Sequence, residues 1–263
     1  MIILMNGIKK KKVYKEDKLF IKSIRDAAGI DETKIEIFGD ESDPYLQKIL
    51  YSFKMALACN HKLDDWIIDL EGLSGRKFRY LLNNLISCFN FPSYLEIGSW
   101  LGSTACSALF KNKLRITCID NWSQNFDSKF GKNCDSKKIF EFNINKSLNE
   151  NSKFNLISSN FKNVDFKKIQ PIDIYFYDGP HHREDHFESI IRVHESLHKK
   201  FILIVDDWNW IQVREGTLKG IDQLNMKVIA KLEIKTTQDN SKPLIQGKHS
   251  DWHNGYCLFV INK

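Results

Sequence analysis

Apolar positions follow two different rhythms on either side of Pro92. Before it the spacing is helical. "DPYLQKILYSFKMALACNHK" puts Leu46, Ile49, Leu50, Phe53 and Leu57 on one side of a helix. "LSGRKFRYLLNNLISCF" offers Ser74 as an N-cap, then Phe78, Leu81, Leu82, Leu85 and Phe89 along one face. After Pro92, short runs that are apolar on both faces alternate with helical stretches. Strands are predicted at Tyr94–Gly98, Arg115–Asp120, Asn155–Ser159, Ile172–Asp178 and Phe201–Asp206. Helices are predicted near Thr104–Phe110, Ser136–Asn149, Arg183–Lys199 and Val213–Gln223. Strands buried on both faces and separated by helices argue for a parallel sheet covered on both sides. The end of the chain departs from this. "MKVIAKLEIKT" and "GYCLFVIN" are two strands with no helix between them, so one runs antiparallel. The expected organisation is a tail and lead-in over 1–40, a helical cap over 41–90 and an α/β domain over 91–263.

In "YLEIGSWLGST" an apolar run stops at Glu96, and Gly98 and Gly102 follow. In an open α/β sheet, ligands bind beyond the carboxyl ends of the strands, and glycine lets a ligand approach the backbone. The second strand ends in "CIDNW", with Asp120 22 residues after Gly98, where an acid accepts hydrogen bonds from a ribose diol. An adenosine-type ligand follows. A dinucleotide would need G-x-G-x-x-G, but Trp100 stands where the second glycine belongs, and Glu96 would repel a phosphate. S-adenosylmethionine, with an ammonium and a sulfonium, suits the site better. The same two residues disfavour an NAD-dependent oxidoreductase.

"YFYDGPHH" and "LIVDDW" close the fourth and fifth of these strands, 28 residues apart with one helix between. Neighbouring strands would bring Asp178, Asp206 and Asp207 together, where a shared proton or a hard cation such as Mg²⁺ relieves the repulsion. Adjacent Asp206 and Asp207 cannot both point inward on a regular strand.

Together, "YLEIGSWLGST", "ITCIDNW", "NLISSN", "IDIYFYDGPHH" and "FILIVDDWNW" resemble, in order and spacing, the strand-end motifs of class I S-adenosylmethionine-dependent methyltransferases. The resemblance implies a Rossmann-like, seven-stranded, mostly parallel sheet in the order 3-2-1-4-5-7-6, preceded here by an N-terminal helical extension. It implies a cofactor site built from Glu96, Gly98, Ser99, Gly102, Asp120, Asn160 and Asp178. The pair of acidic motifs is similar to the metal site of catechol-type and macrocin-type O-methyltransferases. That likeness implies Asp178, Asp206 and Asp207 as ligands of Mg²⁺, and His181 with Asp178 as the catalytic residues. A neutral imidazole near pH 7 suits a general base.

Composition narrows the partners. Of 39 basic residues only seven are arginine, and they are scattered, so the net charge of +6 reads as a solvated surface and no nucleic-acid partner is expected. No apolar run reaches the roughly 18 residues of a membrane span. Six cysteines without a C-x-x-C pair fit free thiols in a reducing cytoplasm. The expected activity is methylation of a hydroxyl on a small molecule or sugar, with a homo-oligomer as a further expectation. A metal-free methyltransferase acting on another acceptor is the alternative. Trp122, Trp208, Trp210 and Trp252 are expected at the pocket mouth, holding substrate or packing.

Overall fold

The computed structural model describes residues 32–124 and 135–263. The expected tail up to residue 31 and the thiol of Cys134 lie outside the described residues. Eight strands form one sheet: β1 (Lys34–Gly39), β2 (Ser93–Ile97), β3 (Arg115–Asp120), β4 (Lys153–Ser158), β5 (Ile172–Tyr177), β6 (Leu197–Val205), β7 (Lys227–Lys235) and β8 (Tyr256–Asn262). Their order is β1-β7-β8-β6-β5-β2-β3-β4. Strands β4, β3, β2, β5 and β6 run parallel, and β8 pairs antiparallel with both β6 and β7.

The sheet has eight strands rather than the expected seven. The lead-in over 1–40 gives way at Lys34, where "KIEIFG" pairs antiparallel with β7 from Lys34↔Lys235 to Gly39↔Ala230. Its Lys-Ile-Glu-Ile alternation is short, and five of its six residues are exposed. Strand β6 also starts at Leu197, inside the stretch expected to be helical up to Lys199, because Ile172 already pairs with Leu197 across a bulge.

Seven helices among the described residues flank the sheet: α1 (Pro44–Leu57), α2 (Asp65–Ile68), α3 (Arg76–Ser87), α4 (Ser103–Leu109), α5 (Ser136–Ser147), α6 (Arg183–Val193) and α7 (Ile211–Gln223). Asp43 caps α1, accepting from the backbone N–H groups of Tyr45 and Leu46. Leu46, Ile49 and Phe53 are buried as the spacing required, but Leu57 is exposed. Helices α1 and α3 share one core with β5, β6, β7 and β8 through Phe78, Leu81, Leu82, Leu85, Phe176, Ile204 and Leu258. The segment 41–90 is therefore a layer on a face of the sheet rather than only a lid over the strand ends. A second core, on the other face, joins Leu95, Tyr175, Leu203 and Phe259 to Ile190 of α6 and Val213 of α7.

Ser74 does not cap α3. Gly75 occupies the cap position, and the first N–H groups of the helix are satisfied from the far end of the sequence. Arg76 N donates to Ser250 O at 2.8 Å and Lys77 N to Asp251 O at 3.1 Å. Of the tryptophans expected at the mouth, Trp208 and Trp252 are buried, the first against Phe259 and the second against Phe53. No described helix is long and apolar enough to cross a membrane.

Candidate active site

A pocket opens where β2, β3 and β5 end, walled by Gly98, Ser99, Asp120, Asn160, Asp178 and His181, with Ser74, Ser103 and Thr104 opposite. The two glycines of the opening turn serve the backbone first. Gly98 has φ +92°, and a Cβ there would lie 1.9 Å from the carbonyl oxygen of Asp178. The close neighbour that forbids a side chain is thus the end of β5, not a ligand alone. Gly102, φ +86°, stands before α4, and a Cβ there would meet the Phe140 ring at 3.1 Å; it is outside the pocket wall, contrary to expectation. Gly98 itself is on the wall.

Glu96 is also displaced from its expected place. It is fully buried behind the wall. Tyr94 Oη donates to its Oε2 at 2.6 Å and Thr104 Oγ1 to its Oε1 at 3.0 Å. Burial raises its carboxyl to about 7, against the pull of the hydrogen bonds from Tyr94, Ser99 and Thr104. The folded chain therefore holds this proton above the ordinary 4.5 at which the unfolded chain releases it. Stability contributed here falls as pH rises from about 4.5 to about 7 and then levels off. Glu96→Gln should flatten part of that slope in urea denaturation measured across pH; an unchanged slope would assign it to other groups.

Asp120 joins the two loops at the cofactor end. Its Oδ2 accepts from Trp100 N at 2.8 Å and its Oδ1 from Trp122 N at 2.7 Å. Burial raises this carboxyl, and the surrounding backbone N–H groups offset part of the effect. Each oxygen keeps a lone pair for a diol. Asn160 begins the short 3₁₀ turn after β4, its side chain accepting from Lys162 N at 2.9 Å.

The three aspartates divide two against one. Burial and the neighbouring carboxylates hold Asp178 and Asp206 well above the usual carboxylate range. Asp207 lies past the end of β6 with φ 55°, a left-handed turn that takes its side chain elsewhere. Its carboxylate meets His181 Nδ1 at 3.0 Å and accepts from Asn254 Nδ2. Burial opposes its charge, but the His181 hydrogen bond and charge, with His253 and Asn254, carry it below the usual carboxylate value. Sequence spacing did not reveal His253 and Asn254, because a loop some 46 residues further on delivers them. His253 Nδ1 accepts from Gly247 N at 2.9 Å, so its proton sits on Nε2, 3.9 Å from Asp207.

As a metal cage the three acids do not fit. Asp207 is committed to His181 and Asn254. Among the described residues, no three His, Cys, Asp or Glu side chains are placed to hold an ion. As a base they fit well. An ionised Asp207 requires the proton of His181 on Nδ1 and leaves Nε2 with its lone pair. Trp210 lies edge-on to the imidazole at 5.2 Å between ring centres, fixing its plane.

A doubly wound sheet with an antiparallel pair inserted beside β6, and a pocket at the β2–β3–β5 ends, defines the Rossmann-like methyltransferase architecture. Residues 95–208 match the family model described as a methyltransferase domain. No curated protein matches the chain. Among solved structures, a putative methyltransferase of Streptococcus mutans is 15% identical, with a TM-score of 0.47, covering 72% of this chain and 48% of that one. The chain thus spans about half the length of that protein. The O-methyltransferase of Bacillus cereus, in complex with S-adenosylhomocysteine, is 12% identical, with a TM-score of 0.48 and coverage of 84% and 92%. A putative RNA methyltransferase of Pyrococcus horikoshii is also 12% identical, with a TM-score of 0.47 and coverage of 81% and 98%. Such distant likenesses leave the acceptor open.

Proposed function

We propose that the protein transfers a methyl group from S-adenosylmethionine to a hydroxyl of a small molecule or sugar, with His181 as general base. The observation that carries the reading is the 3.0 Å contact of His181 Nδ1 with Asp207 on the wall of the pocket that also presents Asp120. S-adenosylmethionine supplies an electrophilic methyl carbon on a sulfonium. The chain does the rest. Asp120 and Asn160 hold the nucleoside. Gly98 lets the turn approach closely. His181 Nε2 takes the acceptor's hydroxyl proton while Asp207 stabilises the imidazolium that forms. Positioning of the two reactants supplies much of the acceleration.

Two forms of this reading remain distinct in their chemistry. In the metal-assisted form Asp178, Asp206 and Asp207 would hold Mg²⁺ against the acceptor oxygen. The His181–Asp207 contact favours the form without it. Two measurements test the reading. Calorimetry should detect S-adenosylhomocysteine binding, weakened by about 1–3 kcal/mol in Asp120→Ala, the scale of hydrogen bonds to a charged group. A mass-spectrometric screen of hydroxylated metabolites, run with and without EDTA, should yield a product 14 mass units heavier in both conditions, the gain of one CH₂. NADH binding without S-adenosylhomocysteine binding would sink the reading, and abolition by EDTA with rescue by Mg²⁺ would restore the metal-assisted form.

A further inference from the structure

Strand β1 forms one edge of the sheet, and β7 is its only strand neighbour among the described residues. The ladder fixes which of its backbone groups face the open side. Asp40 N donates to Ile229 O at 3.2 Å, and the pairing runs on without a shift from Gly39↔Ala230 to Lys34↔Lys235. Hydrogen-bonded and non-hydrogen-bonded positions alternate along an antiparallel pair. Counting back in twos from Asp40, the residues Phe38, Glu36 and Lys34 turn their N–H and C=O groups toward β7. Ile37 and Ile35 therefore turn theirs outward.

Sheets protect such an edge with proline, bulges or unpaired charge. Strand β1 uses none of these. It contains no proline, and its register with β7 is unbroken. Its two charges cancel, with Lys34 Nζ 2.8 Å from Glu36 Oε1. Ile35, Ile37 and Phe38 are 39%, 43% and 44% exposed. The charges also say which strand would fit. Two copies of β1 related by a two-fold axis pair antiparallel, with odd-numbered residues bonding to odd-numbered ones. An axis at Lys34 or at Glu36 sets that charge against its own copy, which destabilises the pair. An axis at Ile37 requires Ile35 to bond opposite Gly39, whose φ of +95° ends the regular strand. An axis at Ile35 sets Lys34 opposite Glu36 twice over, and Ile35 opposite Ile35.

We infer that β1 is a self-association edge, joining two copies of the chain into one continuous sheet with Ile35 on the two-fold axis. The backbone N–H and C=O of Ile35 bond to those of Ile35 in the second copy. Each Lys34 faces the other copy's Glu36 while staying beside its own, so the four side chains close a ring of alternating charge. The pockets remain open. Strands β2, β3 and β5 lie beyond β6 from the joined edge. From β6 through β8 and β7 to β1, every neighbour is antiparallel. Antiparallel pairing of the two β1 strands then makes the two β6 strands run in opposite directions. The two pockets accordingly open at opposite ends of the joined sheet.

Sedimentation equilibrium of the full chain tests this. The wild type should show twice the 30.8 kDa mass of the chain and dissociate on dilution. Ile35→Pro removes the outward N–H and spares the ladder to β7, since an edge position whose N–H faces solvent tolerates proline. It should be monomeric, with an unchanged circular dichroism spectrum. Lys34→Glu and Glu36→Lys, made singly, each set like charges opposite each other at both symmetric contacts and should raise the dimer Kd by about 10–100-fold. Made together, they restore opposite charges and should bring the Kd back to within about threefold of the wild type. Should the proline disturb the fold, the charge series decides alone. A monomeric wild type overturns the inference. So does a dimer that a folded Ile35→Pro leaves intact, or a double exchange no tighter than the single variants.

Discussion

His181→Ala is expected to lower turnover by about 10²–10⁴-fold, the usual contribution of a general base, while S-adenosylhomocysteine affinity stays within about twofold. The split follows from the proposed roles, in which His181 takes the acceptor's proton and Asp120 holds the nucleoside. Asp207→Asn should fall in the same range. An amide cannot stabilise the imidazolium, and its NH₂ turns the imidazole to the wrong tautomer. Mere disturbance of folding would lower activity too, so a second measurement is needed. Nitrogen-15 spectra of wild-type His181 should show the proton on Nδ1, as the 3.0 Å contact with an ionised Asp207 demands. A proton on Nε2, or full activity in His181→Ala on the true acceptor, would remove the base from the mechanism.

Gly98→Ala is the second large effect, and it falls on folding. The methyl would stand 1.9 Å from the Asp178 carbonyl oxygen, on a backbone with φ +92°. A backbone atom in a central strand end cannot yield like the tip of a flexible side chain. The ladder on both sides is fixed, with Gly98 N donating to Ile119 O and Asp178 N to Ile97 O, each at 2.9 Å. The left-handed conformation alone costs about 1–2 kcal/mol for an L-residue. With the overlap added, a loss of about 3–5 kcal/mol is expected in urea denaturation. Gly102→Ala should lose much less, because its neighbour at 3.1 Å is the ring edge of Phe140, which can move. Equal midpoints for the two variants would show that the β5 end relaxes.

The strand–helix alternation after Pro92 was legible because β2, β5 and β6 are buried on both faces, so each run is apolar throughout. The pocket position followed from where those runs stop. Burial behind the wall was not legible. Glu96 ends an apolar run, and only the Tyr94 and Thr104 hydroxyls reveal that it faces inward. Nor was the partition of the acids. The text "VDD" says that two carboxylates meet at a strand end, but the left-handed turn at Asp207 decides that one stays beside Asp178 and the other meets His181. Strand β1 escaped for a simpler cause. Its Lys34-Ile35-Glu36-Ile37 alternation spans only four residues, nearly all exposed, and it pairs with β7 as an edge strand.

The position of β8 bears on how the molecule is made. Emerging from the ribosome after every other strand, it belongs in the middle of the sheet, between β6 and β7. Until it arrives, β7 and the β1 strand paired with it have no strand-ladder neighbour in the parallel half. The loop just before it also carries the carbonyls that accept from the start of α3, and the Asn254 that holds Asp207. A nascent chain stalled short of residue 250 can pair β2 through β6, yet it lacks a finished wall beside Ser74 and a braced His181. The sheet is therefore closed in one step, when β8 slots into its gap between β6 and β7.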